Sequence, residues 1–192
     1  FHSRSRQGRH EEPFGGTFRF RDSLPPLSAV KAPMSNMRID LYKPDMATLE
    51  VNDLSFSRVS ESRRSIRCLT EQAISAVQLG EFLYRTARIK TVIPVDSTTG
   101  SCYESSRRVC PGGGGMHELE LYLSISRCEG IAPGFYHYHP LDHVLEHLSE
   151  LDCAVQGLVD GASNASGLQT SPDVLITLAA RFGRPSWKYQ AM

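Results

Sequence analysis

Residues 107–123 read RRVCPGGGGMHELELYL and join a loop of four consecutive glycines to a strand-like segment. Glycine has no Cβ, so it reaches positive φ and lets the backbone approach a ligand closely. That freedom costs conformational entropy on folding, which a plain connection between two elements does not require. The run therefore indicates a loop that lies against a flat or phosphorylated ligand, with a flexible surface loop as the alternative.

The composition favours one globular domain and a less ordered segment. The chain has 192 residues, of which 40% are hydrophobic and 22% charged, enough for one core but short for two. Lys and Arg number 21, as do Asp and Glu, so we expect no overall attraction to nucleic acid or to an anionic membrane. No apolar run approaches the roughly 18 residues that span a bilayer, and no signal peptide is evident. We therefore expect a soluble, cytoplasmic protein.

The first third of the chain changes character near residue 36. Residues 1–36 mix Arg, Gly, Pro and Ser, which predicts a linker or poorly ordered tail, with a folded domain over residues 37–192. Residues 37–54 fit a short strand or extended arm as well as a helix. Residues 70–88 show helical spacing of apolar side chains, which predicts a helix with one buried stripe, and residues 94–106 read as a loop. The stripe consists of Leu79, Phe82, Leu83 and Ala87.

The second half of the chain mixes predicted strands and helices. Alternating apolar residues predict a strand over residues 119–126, and the aromatic residues 135–139 should pair with it as a hairpin. Helical spacing of Val and Leu predicts a helix over residues 142–155, and a polar loop follows over 157–172. Residues 174–182 read as a buried central strand. The sum predicts an α+β fold.

Three arginines cluster just before the first long predicted helix, in the segment ESRRSIR of residues 61–67. The guanidinium groups of Arg63, Arg64 and Arg67 can bind phosphate oxygens through paired hydrogen bonds. Ser65 adds a hydroxyl donor. A solvated basic patch is the alternative. Taken with the glycine loop, the cluster suggests a phosphorylated cofactor whose phosphate meets the arginines and whose ring meets the glycine backbone.

Five segments follow one another in an order that resembles one enzyme family. They are SRRSIR at 62–67, LGEFLYRTAR at 79–88, PGGG and HELELY within 111–122, PGFYHY at 133–138 and WKY at 187–189. This order resembles the SagB-type peptide dehydrogenases, the azoline-oxidising branch of the FMN-dependent nitroreductase superfamily. The resemblance covers residues 52–189.

The resemblance implies an α+β, nitroreductase-like, FMN-binding fold that forms a homodimer with FMN at the subunit interface. The implied phosphate and ribityl ligands are Arg63, Arg64, Ser65 and Arg67. The implied isoalloxazine loop, the family's Pro-Ser-Gly-Gly segment, consists of Pro111, Gly112, Gly113 and Gly114. Gly112 stands where the family commonly has Ser, which puts one side-chain hydrogen bond to the flavin in doubt and leaves the backbone contacts. The superfamily fold continues past the Lys-Tyr position, so we expect residues 37–192 to form only the N-terminal portion of a nitroreductase-like domain.

Lys188 and Tyr189 match the family's proposed catalytic pair. Converting an azoline to an azole removes a proton from one ring carbon and a hydride from its neighbour, so the protein must supply a base. A free tyrosine, with a pKa of about 10, is a poor base near neutral pH unless a cation stabilises the phenolate. An adjacent lysine can do that or act as the base after desolvation, and the residues leave both roles open. An ordinary strand end with a lysine reaching to solvent is the structural alternative.

The histidines do not predict a metal site. His137 and His139 alternate on a strand, and His143 and His147 share a predicted helix face, but no cysteine or carboxylate set completes a ligand group. The five cysteines form an odd number without a C-x-x-C pair, which favours reduced thiols. His117, next to the glycine loop, is the histidine we expect to line the active site.

The leading hypothesis is an FMN-dependent oxidoreductase that converts thiazoline or oxazoline rings to azoles in a peptide natural-product pathway. Its expected partners are the azoline-containing peptide, a cyclodehydratase or synthetase, and a second copy of the chain. One alternative keeps the flavin and reduces nitroaromatics or quinones with NAD(P)H, although such acceptors need no base for a substrate C–H bond. The other is a flavin-free, non-catalytic scaffold or fragment.

Overall fold

The computed structural model describes residues 8–9, 11, 15–65, 71–96, 98, 100–167 and 170–190. Its α-helices are α1 (Met46–Asn52), α2 (Phe56–Ser62), α3 (Ala76–Ala87), α4 (Cys153–Ser166) and α5 (Gly183–Lys188). Its strands are β1 (Arg38–Asp40), β2 (Ile89–Ile93), β3 (Ser105–Arg108), β4 (Leu119–Ile125), β5 (Gly134–His139), β6 (Val144–Ser149) and β7 (Val174–Ala180). Within these ranges, no helix has both the length and the apolarity to cross a membrane. The mixture of helices and sheet confirms the predicted α+β class.

The chain divides into two units. The first contains the described residues up to Ala32, those of Ala87–Glu120 and those from Leu178 onward. The second contains the described residues of Pro33–Thr86 and Leu121–Thr177. The border at residue 36 between a tail and a folded domain stays a prediction.

A five-stranded sheet has the strand order β1-β6-β5-β4-β7. β4 and β5 pair antiparallel, with Tyr122 opposite His137, which confirms the predicted hairpin. Leu123 and Ile125 are fully buried, as the apolar alternation of β4 predicts. Ser124 on the opposite face is fully buried as well, so this part of β4 is covered on both sides.

The helix predicted over residues 142–155 is wrong, because most of this segment is the strand β6. β6 lies between β1 and β5, and Val144 and Leu145, which point to opposite faces, are both buried. A strand covered on both faces carries consecutive apolar residues, and such a run also satisfies helical spacing. The turn before β6 is tight: His143 has φ of 61° and its amide donates to the His139 carbonyl over 2.9 Å.

The polar loop predicted over residues 157–172 is also wrong, because α4 occupies its first half. Asp152 caps the helix by accepting a hydrogen bond from the Val155 amide over 2.9 Å, and Gly167 ends it with φ of 68°. The buried face consists of Val155, Val159 and Ser163. Small residues and two glycines obscure the helical period, so the cap residues at both ends were the usable signal.

The strand predicted over residues 174–182 exists as β7, but its predicted central position is wrong. β7 stands at the edge of the sheet, and Leu178 is 61% exposed. A continuous apolar run indicates a strand without showing which neighbours cover it.

The helix predicted over residues 70–88 is confirmed as α3, with a later start. Ser75 Oγ accepts from the Gln78 amide and Gln78 Oε1 accepts from the Ser75 amide, a reciprocal capping box that fixes this start. The predicted stripe is buried at Leu79, Leu83 and Ala87. Phe82 is 47% exposed and does not belong to it.

In the first unit, β2 and β3 form an antiparallel pair in which Ile93 lies opposite Ser105. The loop predicted over residues 94–106 ends two residues early, because Ser105 and Ser106 belong to β3. In the sequence RRVCPGGGG, the two arginines are the last residues of β3. The chain then continues into the four glycines, which belong to the site described next.

Candidate active site

The four glycines form a tight loop between β3 and β4. The Gly115 amide donates to the Gly112 carbonyl over 3.3 Å, and the Met116 amide donates to the Gly113 carbonyl over 3.1 Å. Gly114 and Gly115 have φ of 57° and 71°, a region that residues with a side chain rarely adopt. Backbone conformation therefore favours glycine at both positions.

The loop also makes room for the end of α5. A Cβ at Gly114 would overlap both the Nζ of Lys188 and the hydroxyl of Tyr189, whereas a Cβ at Gly113 would meet open space. Pro111, at the start of the loop, is exposed. The structure thus brings Gly114, Lys188 and Tyr189 together, and it favours close approach over a flexible connection as the reason for the glycine run.

Lys188 is the last residue of α5, and its ammonium group lies against the glycine loop. Its Nζ donates to the Tyr103 hydroxyl over 2.5 Å and to the Gly114 carbonyl over 3.2 Å. The Tyr103 hydroxyl donates to the same carbonyl over 2.9 Å. The Nζ also lies 4.7 Å from the centre of the Tyr103 ring and 5.3 Å from that of Tyr189. One ammonium, two phenols and one backbone carbonyl therefore form a single cluster.

The surroundings of Lys188 act on its charge in opposite directions. Partial burial is the largest single influence and lowers the pKa of the ammonium, because it removes water from the charge. The hydrogen bond that Lys188 donates to Tyr103, together with the Coulombic effects of Tyr103 and Tyr189, outweighs burial, and the pKa of Lys188 is raised above its usual value. Lys188 is therefore an ammonium at neutral pH.

Arg184 fixes α5 from inside the first unit. Its side chain is fully buried and donates to three backbone carbonyls, those of Met116, Leu27 and Glu104, over 2.5, 2.5 and 3.1 Å. Burial, reinforced by neighbouring arginines, lowers its pKa to about 10, so the guanidinium is still charged at neutral pH. Three charge-assisted hydrogen bonds tie the end of the glycine loop, the loop before β3 and the N-terminal segment to one helix.

An N-terminal segment covers the same helix with aromatic rings. The amide of Phe18 donates to the Lys188 carbonyl over 3.1 Å, and Trp187 Nε1 donates to the Leu24 carbonyl over 2.7 Å. The ring centroid of Phe18 lies 5.8 Å from that of Trp187 and 6.2 Å from that of Tyr103. The rings of Phe18, Tyr103 and Trp187 therefore form one aromatic group, and the Lys188 Nζ lies 5.9 Å from the centre of the Phe18 ring.

His117 follows the glycine loop and lies against Gly112, and its predicted place in an active site stays a prediction. A Cβ at Gly112 would overlap the His117 imidazole, which gives a local reason for glycine where the family commonly has serine. His117 itself has φ of 42°. Burial and, next, the positive charge of Arg108 lower its pKa, and Glu118 opposes them in part. The imidazole is therefore neutral at pH 7.

The predicted phosphate ligands belong to the second unit. Arg63, Arg64 and Ser65 follow α2 and are exposed, and Arg67 lies outside the described residues. Their joint role with the glycine loop stays a prediction.

Three residues of the site were missed by sequence reasoning. Tyr103 lies in a segment with loop composition, Phe18 lies in the predicted tail, and Arg184 is a charged residue between Gly183 and Pro185. None belongs to a motif with a fixed spacing, and only the folded chain brings them to Lys188 and the glycine loop. The sequence offered no direct signal for them.

The second unit buries a separate polar cluster. His137 Nδ1 lies 2.9 Å from Glu146 Oε2, which also accepts a hydrogen bond from the Met34 amide over 3.1 Å. Tyr138 Oη lies 2.8 Å from His143 Nδ1. Among the described residues, no group of three His, Cys, Asp or Glu side chains is arranged to hold a metal ion. These histidines form part of the core.

Comparisons with known proteins identify the fold. No protein-family model and no curated protein sequence matches this chain. The crystal structure of a "putative nitroreductase" from Ralstonia eutropha JMP134 matches 84% of the chain with a TM-score of 0.50 and 20% identity. The chain spans 66% of the length of that protein. A "putative nitroreductase" from Anabaena variabilis ATCC 29413 matches 76% of the chain with a TM-score of 0.48 and 19% identity, and the chain spans 31% of it. At this identity the first likeness shows the fold alone, so the chain has an α+β, nitroreductase-like fold.

Proposed function

We propose that the chain is an FMN-dependent oxidoreductase that dehydrogenates thiazoline or oxazoline rings of a peptide to azoles. The observation that carries the proposal is that the Tyr189 hydroxyl and the Lys188 ammonium meet at Gly114, where Tyr103 and the Gly114 carbonyl accept hydrogen bonds from the ammonium. Aromatising an azoline requires a group that takes a proton from carbon. Reducing a nitroaromatic or a quinone requires no such group, so this cluster favours dehydrogenation over the alternative.

Two features of the glycine loop support the proposed flavin site. Gly113 borders open space, and no acceptor among the described residues receives the amide protons of Gly113 and Gly114. Bare backbone with available N–H groups suits a flat ring that carries carbonyl and nitrogen acceptors. The residues proposed to hold FMN are Arg63, Arg64, Ser65, Arg67, Pro111, Gly112, Gly113 and Gly114. Bound there, FMN supplies the acceptor for the hydride that the substrate ring loses.

The chain's own residues would manage the proton. Lys188 stays charged, because Tyr103 and Tyr189 favour its ammonium form. A positive charge in contact with a phenol oxygen stabilises the phenolate. Tyr189, one of the two residues that match the family's pair, would act in its phenolate form, so that its oxygen takes the ring proton and becomes a hydroxyl while the neighbouring ring carbon gives up a hydride to the bound acceptor. The azoline thus loses one proton and one hydride and becomes an azole.

The proposed partners follow from this chemistry. The azoline must be made by ring closure, so a cyclodehydratase or synthetase would supply the azoline-containing peptide. We also propose a homodimer, as the resemblance implies, and molecular oxygen as the agent that reoxidises the flavin. The cytoplasm is the proposed location.

The experiment that tests the function measures cofactor and turnover on the same preparation. The purified chain is heated to release flavin, the FMN is quantified against protein, and a thiazoline peptide is followed by mass spectrometry for the loss of two hydrogen atoms. We expect bound FMN and conversion to the thiazole. FMN with NAD(P)H-dependent nitroaromatic reduction and no thiazole would favour the alternative enzyme. A protein that neither contains nor binds FMN would be a scaffold or fragment, and the proposal would fail.

A further inference from the structure

We infer that Tyr103 is a positioning residue of this site, which holds the Lys188 side chain as a charged ammonium against the Gly114 carbonyl. The resemblance assigns Lys188 and Tyr189 and says nothing of Tyr103. The role of Tyr103 in catalysis rests on the proposed function. The geometry around Lys188 requires neither flavin nor substrate.

The first argument is the set of acceptors around Lys188. Its Nζ donates to two oxygens, the Tyr103 hydroxyl over 2.5 Å and the Gly114 carbonyl over 3.2 Å. The Tyr103 hydroxyl donates its own hydrogen to the same carbonyl over 2.9 Å, so its oxygen meets Nζ as an acceptor. Hydrogen bonds from an ammonium are stronger than those from a neutral amine, so two such acceptors favour the charged form. The arrangement is therefore complementary to the charged form of Lys188.

The second argument is that Tyr103 is held in place independently of Lys188. Its hydroxyl donates to the Gly114 carbonyl over 2.9 Å, and its ring packs 6.0 Å from that of Trp187, centroid to centroid. The next residue, Glu104, presents its carbonyl to the buried guanidinium of Arg184 over 3.1 Å. An acceptor that is already oriented loses little freedom when the lysine binds it, so the contact is stronger than one between two mobile side chains.

The third argument concerns what else could control Lys188. The titratable groups that face its ammonium are the two phenols, Tyr103 from the loop before β3 and Tyr189 from the residue after α5. Tyr103 has the shortest recorded hydrogen bond to Nζ. Removing its hydroxyl should therefore make Lys188 lose its proton at lower pH, whereas a purely space-filling role for the ring would leave that pH unchanged.

The test is competitive acylation of lysines with acetic anhydride over pH 7–11, with each modified peptide quantified by mass spectrometry. It uses the full chain without substrate, and compares wild type, Tyr103→Phe and Tyr42→Phe. Tyr42 is 46% exposed and its phenol lies outside the site, so its variant is the matched control. We expect Tyr103→Phe to lower the apparent pKa of Lys188 by about half a unit, which gives about a threefold rise in labelling at pH 9. Tyr42→Phe should follow wild type.

A Lys188 labelling curve unchanged in folded Tyr103→Phe would overturn the inference. If that variant does not fold, wild type still gives an answer, because Lys188 must keep its proton to a higher pH than the lysine of a short unstructured peptide labelled in the same reaction. A Lys188 midpoint at or below that of the peptide would overturn the inference as well. A shifted curve in a protein that oxidises no azoline would reject the proposed function and leave the role of Tyr103 standing.

Discussion

In each unit of the chain a tyrosine hydroxyl is hydrogen-bonded to a side-chain nitrogen, but the two pairs have different surroundings. In the second unit, Tyr138 and His143 lie 2.8 Å apart and are 1% and 2% exposed. In the first unit, Tyr103 and Lys188 lie 2.5 Å apart and are both half-buried beside an exposed glycine loop. Both distances are those of good hydrogen bonds. The hydrogen bond alone therefore does not distinguish a structural pair from a functional one.

What separates the pairs is access. The second ring nitrogen of His143 bonds the Tyr42 carbonyl over 2.9 Å, so both nitrogens meet protein and neither can meet a substrate. At the Lys188 pair, Gly113 borders open space, and the carbonyl of the next residue, Gly114, accepts a hydrogen bond from Lys188. A buried polar network stabilises one folded state, whereas the half-buried cluster places a fixed charge beside the open side of Gly113.

The largest expected effect is on turnover when the accessible cluster is changed. Lys188→Ala and Tyr189→Phe should each reduce kcat for azoline dehydrogenation by about 10²–10⁴-fold, the contribution of a positioned acid or base. Bound FMN should remain, because the proposed flavin contacts do not include these side chains. Product mass and flavin absorbance measure both quantities.

Tyr138→Phe is the matched variant from the buried pair. It should leave kcat unchanged and lower the free energy of unfolding by about 1 kcal/mol, the net value of one hydrogen bond. Unchanged turnover in both Lys188→Ala and Tyr189→Phe, or a loss of turnover in folded Tyr138→Phe, would remove the distinction drawn between the two pairs.

The second prediction separates two neighbouring glycines of the loop. Gly114→Ala should reduce turnover at least tenfold, because its methyl group would displace the Lys188 ammonium and the Tyr189 hydroxyl. The positive φ should add about 1–2 kcal/mol of destabilisation. Gly113→Ala meets open space and should change the melting temperature little. Equal thermal stability of the two variants would show that the loop is a flexible connection after all.

The third prediction concerns stability in the buried cluster. Burial raises the pKa of Glu146, but the hydrogen bond from His137 and the Met34 amide outweigh it, and the pKa of Glu146 is lowered below its ordinary 4.5. A carboxyl with a lowered folded-state pKa stabilises the fold above its ordinary pKa and loses that stabilisation as the pH falls through the folded value. Wild type should therefore lose stability below about pH 4.5 through this group.

Glu146→Gln removes the charge and keeps the shape. At pH 7 it should lower the free energy of unfolding by about 1–3 kcal/mol, the cost of an impaired buried polar contact, and its deficit against wild type should shrink in acid. Denaturant titrations at several pH values measure both, and a deficit that is constant from pH 7 to pH 3 would contradict the assignment. The Lys188 labelling curve should not change.

The fold could be predicted from the sequence where local signals agreed. The hairpin of β4 and β5 has alternating apolar residues, a Pro-Gly turn and aromatic strand formers, and its two strands pair antiparallel as predicted. β6 was mistaken for a helix because it is covered on both faces. The spacing of its apolar residues follows from that coverage, which no local sequence pattern contains. α4 was mistaken for a loop because its small residues carry little hydrophobic signal.

The site was predicted only in its contiguous parts. The resemblance named the glycine loop and the Lys188-Tyr189 pair separately, and the contact between Gly114 and this pair came from the structure alone. Tyr103 and Phe18 come from segments that composition assigns to a loop and a tail, and they reach Lys188 through long-range packing around Trp187. A polar residue such as Arg184 gave no signal either, because its burial depends on three carbonyls that are distant in sequence.

The smallest expected effect is a shift in the titration of His117, the imidazole of the accessible site. Its folded-state pKa is lowered below 6.5 by burial first and by Arg108 next, so the NMR midpoint of its ring should lie below that of a free histidine. Arg108→Gln removes one positive charge and should raise the midpoint, whereas Glu118→Gln removes the opposing negative charge and should lower it further. The two shifts in the His117 midpoint must have opposite signs, because the charge removed is positive in one variant and negative in the other. A midpoint at or above 6.5 in wild type, or shifts of the same sign in both variants, would mean that the ring does not lie between these charges, and the contact that explains Gly112 would be lost with it.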